Sequence, residues 1–398
     1  MSRPLPTDQP PAAHHPTGRA PAEESPMTDP VASADPDCPT CGEHPDPGDR
    51  FCEGCGTRLP DREPAAPGSG AGSGGEPGGE RRRTDLRAAI DRPAGCGTCG
   101  STSVGADGFC DECGHAAPAG RDHVEEALPG AAALTDRGLV RRRNEDAYAV
   151  VRAGDVTFAV VCDGVASVAR GADASLAGCE AAADAVAGAL PERAADLDPD
   201  TLDDVATAAA AAGRAAVVAL HDPAAGDPPA CTYVSGLVAD GTVVVHWVGD
   251  SRAYWLPDPG TGDEPRALSV DDSWAAEIVA VGLRTPEEAW ADRRAHVLTR
   301  WVAADSPDRP ARSVTLTPPG PGVLLLCSDG LWNHVPDAAV LARLAAPGAG
   351  PARDLPAAAR ALLHAALADG GHDNTTVALV EVGAAGTGPG SAPQEGAR

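Results

Sequence analysis

The chain contains no lysine. All 31 of its basic residues are arginine, set against 58 acidic ones, for a formal net charge of −27. A chain this acidic offers no basic face, which argues against a nucleic-acid partner. Aromatic residues are scarce, with 3 Phe, 3 Tyr and 6 Trp, while Gly and Pro number 46 and 39, so a large share must be turn and linker rather than core. No apolar run approaches the roughly 18 to 20 residues needed to span a bilayer. The polar, proline-rich start also lacks the charged-then-apolar profile of a secretory signal. A cytoplasmic protein with no membrane partner is therefore expected. Thiols stay reduced in that compartment, so the 12 Cys read as metal ligands and buried small residues rather than as a disulfide framework.

Composition divides what is present. Residues 1–37 are Pro, Ala and small polar residues without period and are expected to be disordered. Two similar cysteine modules follow, at 38–58 and 95–116, joined by a linker at 59–94 that holds a glycine-rich stretch and the triplet Arg81 to Arg83, read as solubilising. A second linker covers 117–129, a folded domain covers 130–383, and a Gly/Pro/Ser-rich tail covers 384–398.

Within the modules, Cys38 and Cys41 precede Cys52 and Cys55, and Cys96 and Cys99 precede Cys110 and Cys113, with ten residues between the pairs each time. Phe51 and Phe109 each stand before a first cysteine, and Gly42, Gly56, Gly100 and Gly114 each follow a second one. This is an internal repeat. Two thiolates separated by two residues bite one ion, and a second pair completes a tetrahedral sulfur shell suited to Zn²⁺. Four thiolates leave no open position, so each of the two Zn²⁺ is structural, and it supplies on the order of 10 kcal/mol toward folding a module with almost no core. Both modules resemble zinc ribbons of the rubredoxin-like kind. Cys162, Cys179, Cys231 and Cys327 have no such spacing and read as buried small hydrophobes.

In the larger domain, β-branched stretches at 147–152, 156–162, 231–239, 242–248, 252–256, 322–327 and 375–382 predict strands. Alanine-rich stretches at about 172–190, 202–221 and 352–368 predict helices. Strand-rich runs with intervening helices suggest a sandwich with helices on its outer faces. Glu145 and Asp146 stand before the first of these strands, Asp163 ends the second, Asp250 follows 242–248, Asp329 follows 322–327, and Asp373 precedes 375–382. A single Asp-Gly is more often a turn than a site. Apolar strands that repeatedly end in carboxylates are instead the pattern that hard divalent cations require, and a pair of such cations can neutralise a phosphate and acidify water.

In order and context these residues resemble the metal-dependent serine/threonine protein phosphatases of type 2C, the PPM family. The matching runs are Gly138-Leu139-Val140-Arg141 through Asn144-Glu145-Asp146-Ala147, Val161-Cys162-Asp163-Gly164, Gly249-Asp250-Ser251-Arg252, Leu326-Cys327-Ser328-Asp329-Gly330-Leu331-Trp332 and Asp373-Asn374-Thr375-Thr376. The resemblance implies an α+β fold, a four-layer α-β-β-α sandwich with metals in a cleft at one end. It implies two Mn²⁺ or Mg²⁺, with Asp163 bridging them, the Gly164 carbonyl as a further ligand, Asp329 and Asp373 on the first ion and Glu145 on the second. Asp250 matches a residue that helps hold a third, weaker ion. Asp146 would orient the attacking water and Arg141 would grip the phosphate, for which its planar fork is suited.

The implied activity is hydrolysis of phosphoserine and phosphothreonine in proteins, with the ribbons docking the enzyme to a phosphoprotein, a serine/threonine kinase or its targets, or regulating it. Departures from the family pattern are the run Val165-Ala166-Ser167-Val168-Ala169, Asn333, and Trp301-Val302-Ala303. The first of these supplies the alternative, a catalytically silent scaffold that binds partners through its ribbons.

Overall fold

The computed structural model describes residues 81–91, 103, 112, 120–165, 170–190, 197–224, 226–346 and 353–383. The chain separates into Met1–Gly74 and Gly75–Arg398, and every described residue belongs to the second unit. All eight expected zinc cysteines and both tails lie outside the described residues.

In chain order the elements are β1 (Arg82–Arg83), α1 (Leu86–Asp91), β2 (His123–Leu128), β3 (Ala131–Asp136), β4 (Ala147–Ala153), β5 (Val156–Cys162), α2 (Gly171–Ala189), α3 (Pro199–Ala219), β6 (Tyr233–Ala239) and β7 (Thr242–Val248). They continue with β8 (Arg252–Pro257), β9 (Arg266–Ala267), α4 (Trp274–Ala280), α5 (Pro286–Trp290), β10 (Arg312–Leu316), β11 (Gly322–Cys327), α6 (Asp329–Trp332), α7 (Ala338–Leu344), α8 (Leu355–Ala368) and β12 (Thr375–Val382).

The strands form two six-stranded sheets, β1-β4-β5-β6-β7-β10 and β2-β3-β12-β11-β8-β9. Helices α2 and α3 cover the first sheet and α7 and α8 cover the second, which makes the four-layer α-β-β-α sandwich. Because both faces of each central strand are covered, the strands are continuous apolar runs; β5 is buried along its whole length. Side-chain alternation then sorts β11 between two cores. Leu324 and Leu326 point into the space between the sheets, while Val323, Leu325 and Cys327 face α7 and α8. On the other outer face α2 and α3 pack closely because Gly213 meets Gly178, where an added Cβ would come within 2.9 Å of the Gly178 carbonyl oxygen.

The expected linkers need correction at two places. Residues 117–129 include β2, which pairs antiparallel with β3, Val124 opposite Thr135. Residues 59–94 include β1 and α1, which form an edge strand and a short helix on the sandwich. Thr84 N–H donates to the Val150 carbonyl at 2.9 Å, and the Val150 N–H donates to Thr84 Oγ1 at 2.8 Å. Leu86 enters the core at 4% exposure. The arginine triplet is part of this docking rather than a solubilising feature: Arg81 donates to the Ala187 and Leu190 carbonyls and Arg83 pairs with Asp184. Arg87 makes a two-pronged bond to Glu180 at 2.8 and 2.7 Å. A two-residue strand has no detectable period, so composition alone reads it as linker.

Candidate active site

Register brings the carboxylates together. Ala147 on β4 lies opposite Cys162 on β5, so the residues preceding β4 and following β5 become neighbours. In the other sheet Cys327 lies opposite Val377, and the Ser328 N–H donates to the Thr376 carbonyl at 3.0 Å. These strand ends open onto one cleft of about 140 Å³, lined by Arg141, Glu145, Asp163, Gly164, Asp250, Asp329 and Asp373. Thr232, His296, Leu298 and Asn374 complete much of its wall. Of the residues expected to hold the Mn²⁺ or Mg²⁺ ions or to act on water and phosphate, Asp146 alone does not line the cleft; it is 1% exposed and lies behind it.

The loops carrying these groups are fastened by side-chain bonds to backbone. Asn374 accepts from the Glu145 N–H at 2.8 Å and donates to the Arg137 and Arg143 carbonyls at 2.9 and 3.0 Å, tying the segment before β4 to the start of β12. Thr232 Oγ1 accepts from the Asp163 N–H at 3.0 Å while the Thr232 N–H donates to the Asp163 carbonyl at 2.8 Å. Arg121 donates to the Asn144, Ala172 and Asp146 carbonyls, linking the Glu145 loop to the start of α2. Gly164 must be glycine for want of space, since a Cβ there would stand 2.6 Å from the Gly171 carbonyl oxygen and 2.7 Å from that of Glu145.

Asp250 is held from its own strand end: its carbonyl accepts from Trp332 Nε1 at 2.8 Å. The arginine of the same motif, Arg252, forms a buried fork to Asp271 at 2.8 and 2.7 Å and lies 3.6 Å above the Trp332 ring. That ring also stacks with His296.

Electrostatically the cleft is overcharged. Burial, then repulsion from their acidic neighbours, pushes Asp163 and Asp329 well above the usual carboxylate range. Burial, then Asp271, pushes Asp250 to about 7. Asp146 rises to about 6, chiefly from burial. Ser328 Oγ donates to Asp146 Oδ2 at 2.7 Å, but buried Asp146 Oδ1 has no partner. Arg141 pairs with Asp373 and is itself raised by it.

Several oxygen donors, an excess of negative charge and an orphaned buried carboxylate oxygen fit hard divalent cations. Among the described residues no three His, Cys, Asp or Glu side chains are disposed to hold an ion as they stand, in keeping with mutual repulsion and with Asp373 turned to Arg141. Asn333 Nδ2 donates to Asp329 Oδ2 at 3.2 Å, bringing an amide rather than a carboxylate to that residue.

The sequence reading missed Arg121, Thr232, His296 and Leu298. Arg121 stands in a stretch read as linker, and the others carry no spacing signal. Of the altered run after Gly164, Val165 lines the cleft, whereas 166–169 lie outside the described residues. Cys162, Cys179, Cys231 and Cys327 are all buried free thiols. Among the described residues no helix is long and apolar enough to cross a membrane.

The two-sheet sandwich itself is shared with a crystal structure of a bacterial serine phosphatase, at TM-score 0.54 and 23% identity, over 64% of this chain and 98% of that one. It is shared too with the PPM Ser-Thr phosphatase MsPP from Mycobacterium smegmatis in complex with cacodylate, at TM-score 0.51 and 27% identity, over 65% of this chain and all of that one. The fold class is thus that of the bacterial PPM phosphatase domains. The protein phosphatase 2C model matches residues 140–368, more than half of the chain, and the chain belongs to that family. Residues 38–114 match the double zinc ribbon model.

Among curated proteins, the serine/threonine protein phosphatase PstP of Mycobacterium tuberculosis is 31% identical over 253 residues, 63% of this chain. The chain spans 44% of the length of that relative. The serine/threonine phosphatase stp of Listeria innocua is 30% identical over 249 residues, 62% of this chain and 93% of its own length.

Proposed function

We propose that the chain is a cytoplasmic enzyme that hydrolyses phosphoserine and phosphothreonine esters in proteins with the help of Mn²⁺ or Mg²⁺. The observation that carries this reading is the meeting of Glu145, Asp163, Asp250, Asp329 and Asp373 with Arg141 in one cleft. The charge and the donor set are those required for a phosphoryl site, and relatives named as serine/threonine phosphatases support the substrate class.

In this reading Asp163 would serve both ions, with the Gly164 carbonyl as a further ligand; Asp329 and Asp373 would hold the first ion, Glu145 the second, and Asp250 would contribute to a weaker third. When bound, the cations supply charge neutralisation and lower the pKa of water. Arg141, whose guanidinium now rests on Asp373, turns to fork two phosphoryl oxygens once that carboxylate is otherwise engaged. Asp146 acts from beneath the cleft, holding Ser328 through its bonded oxygen and keeping the unbonded one available to orient a water. Water oxygen attacks phosphorus as the bond to the serine or threonine oxygen breaks; the water gives up one proton and the departing oxygen takes one up from solvent, so none is consumed overall.

The paired cysteine modules are read as two structural Zn²⁺ ribbons that dock a phosphoprotein, or a kinase that makes one, or that regulate turnover. The test is Mn²⁺-dependent phosphate release from a phosphothreonine peptide by the full-length chain. Asp163→Ala and Asp329→Ala should each abolish it; absence of release from the metal-loaded wild type refutes the proposal.

A further inference from the structure

The carboxylate cleft, at about 140 Å³, is smaller than the roughly 300 Å³ at which a pocket begins to enclose a drug-sized molecule. It has room for a phosphorylated side chain and not for the residues on either side of it. A substrate chain advances at most about 3.6 Å per residue, so those neighbours must rest on whatever borders the cleft. The chemistry of the border therefore selects the local sequence that can be dephosphorylated.

That border is apolar. Among the described residues seven large apolar side chains are exposed. Leu139 and Val140, at 66% and 61% exposure, directly precede Arg141 in the cleft wall. The other five all fall between Val270 and Val297, in the stretch that delivers His296 and Leu298 to the same cleft. Helices α2, α3, α7 and α8 and the sheet edges expose none. Val297 stands between two cleft residues, and the Trp290 ring lies 5.7 Å from that of His296 and 6.1 Å, edge-on, from that of Trp332.

Both parts of the border are fixed by backbone bonds. Beside Asp373, the Leu139 N–H donates to the Gly371 carbonyl at 2.8 Å, and Gly138 turns at φ +73° so close to the Asp373 carbonyl that a Cβ has no room. Beside Asp250, the Trp274 N–H donates to the Val297 carbonyl and the Thr299 N–H to the Asp272 carbonyl, both at 2.8 Å. These bonds close residues 273–298 at their base, and the excursion has a small core of its own in Ala275, Ala289 and Ala295. Large apolar groups held in water are costly, and gathered at one place on a surface they mark a contact site.

We propose that Leu139 and Val140 beside Asp373, with Trp290, Val297 and Leu298 beside Asp250, form a rim that receives the residues flanking the phosphoserine or phosphothreonine, and that preferred substrates carry bulky apolar side chains there. The inference rests on the catalytic reading and names the local sequence on which that reaction acts. Its test uses the full-length, Mn²⁺-loaded chain and two phosphothreonine peptides identical except at the positions flanking the phosphothreonine, leucine in one and serine in the other. p-Nitrophenyl phosphate, which has no flanking chain, is the third substrate. The wild type should favour the leucine peptide by about tenfold in kcat/KM, carried by KM rather than kcat. Trp290→Ala, and the double variant Leu139→Ser with Val140→Ser, should each bring that ratio to about threefold or less.

The ratio is internal to each variant, so a loss of folded protein or of bound metal does not move it. The double variant changes only exposed side chains and keeps the inference testable if Trp290→Ala folds poorly. Hydrolysis of p-nitrophenyl phosphate with a wild-type peptide ratio near one, or an unchanged ratio in both variants, overturns the rim and leaves the catalytic reading standing. A ratio near one together with concentration-dependent self-association that Trp290→Ala abolishes assigns the rim to a second copy of the chain and overturns the proposal equally. A wild type that hydrolyses none of the three substrates refutes the catalytic reading and takes the rim with it.

Discussion

Replacing Asp250 by asparagine should stabilise the metal-free protein while weakening its response to Mn²⁺. Asp250 is 6% exposed, and burial followed by repulsion from Asp271 raises its carboxyl from 3.8 to about 7. The folded state therefore holds a proton that the unfolded chain releases, so the carboxyl adds no penalty below about pH 4, and its cost grows from there and levels off above about pH 7. A shift of about three units corresponds to a ceiling of about 4 kcal/mol. Neighbouring carboxylates titrate with it and share the protons, which brings the expected gain for Asp250→Asn at pH 8 to about 1–3 kcal/mol. For a domain of this size that is a rise of about 2–10 °C in Tm. The measurement is thermal unfolding in metal-depleted buffer across the pH range, using depleted buffer rather than a strong chelator so that zinc held by the cysteine modules, as proposed, would stay in place. Wild type should gain stability from pH 8 toward pH 5, and the variant should show a flatter profile. Added Mn²⁺ should raise the wild-type Tm more than that of the variant. A variant less stable than wild type at pH 8 without metal would refute the reasoning, because the carboxylate would then be held by native partners rather than strained by crowding.

Leu86→Ala should cost about 2–4 kcal/mol in urea unfolding, since the side chain is buried in the core that β1 and α1 reach; an unchanged midpoint would mean that residues 81–91 do not dock in solution. His123 lies 2.7 Å from Asp136 and 3.1 Å from Glu125, and these partners lift its imidazolium to about 9. The resulting stability is complete below about pH 6.5 and lost as pH rises through 9; after allowance for solvent it amounts to about 1–2 kcal/mol, and His123→Gln should remove that slope in denaturant titrations between about pH 6 and pH 10. Gly164→Ala should destabilise by about 1–3 kcal/mol and weaken Mn²⁺ binding in calorimetry, because the added methyl meets backbone on two sides. His296→Ala should reduce turnover of a phosphothreonine peptide more than that of p-nitrophenyl phosphate, whose leaving group needs no proton, if the one imidazole lining the cleft among the described residues assists departure of the alkoxide; equal loss on both substrates would assign it a packing role on Trp332.

The central strands were legible because strands covered on both faces must be apolar throughout, and the predicted stretches 147–152, 156–162, 242–248, 322–327 and 375–382 fall on β4, β5, β7, β11 and β12. The edges were not. β1 and β9 are two residues long, too short to show a period, and β10 is largely exposed, with only Val314 and Leu316 as its apolar face. At the site, the acidic residues could be picked out because carboxylates at the ends of apolar strands are costly and therefore conspicuous. Thr232 and Asn374 work through backbone bonds to Asp163 and Glu145, and such bonds leave no trace in spacing.

The amino-acid order by itself determined which segments must be buried, where each ends, and that every principal end carries an acid. Tertiary structure alone decided that these ends face one cleft, that Asp146 stands behind it, that Arg141 rests on Asp373, and that residues 81–91 become part of the sandwich. The reason is physical. Burial and propensity are properties of a residue and its near neighbours, whereas strand register, sheet-to-sheet packing and the repulsion among distant carboxylates exist only once the chain has closed on itself.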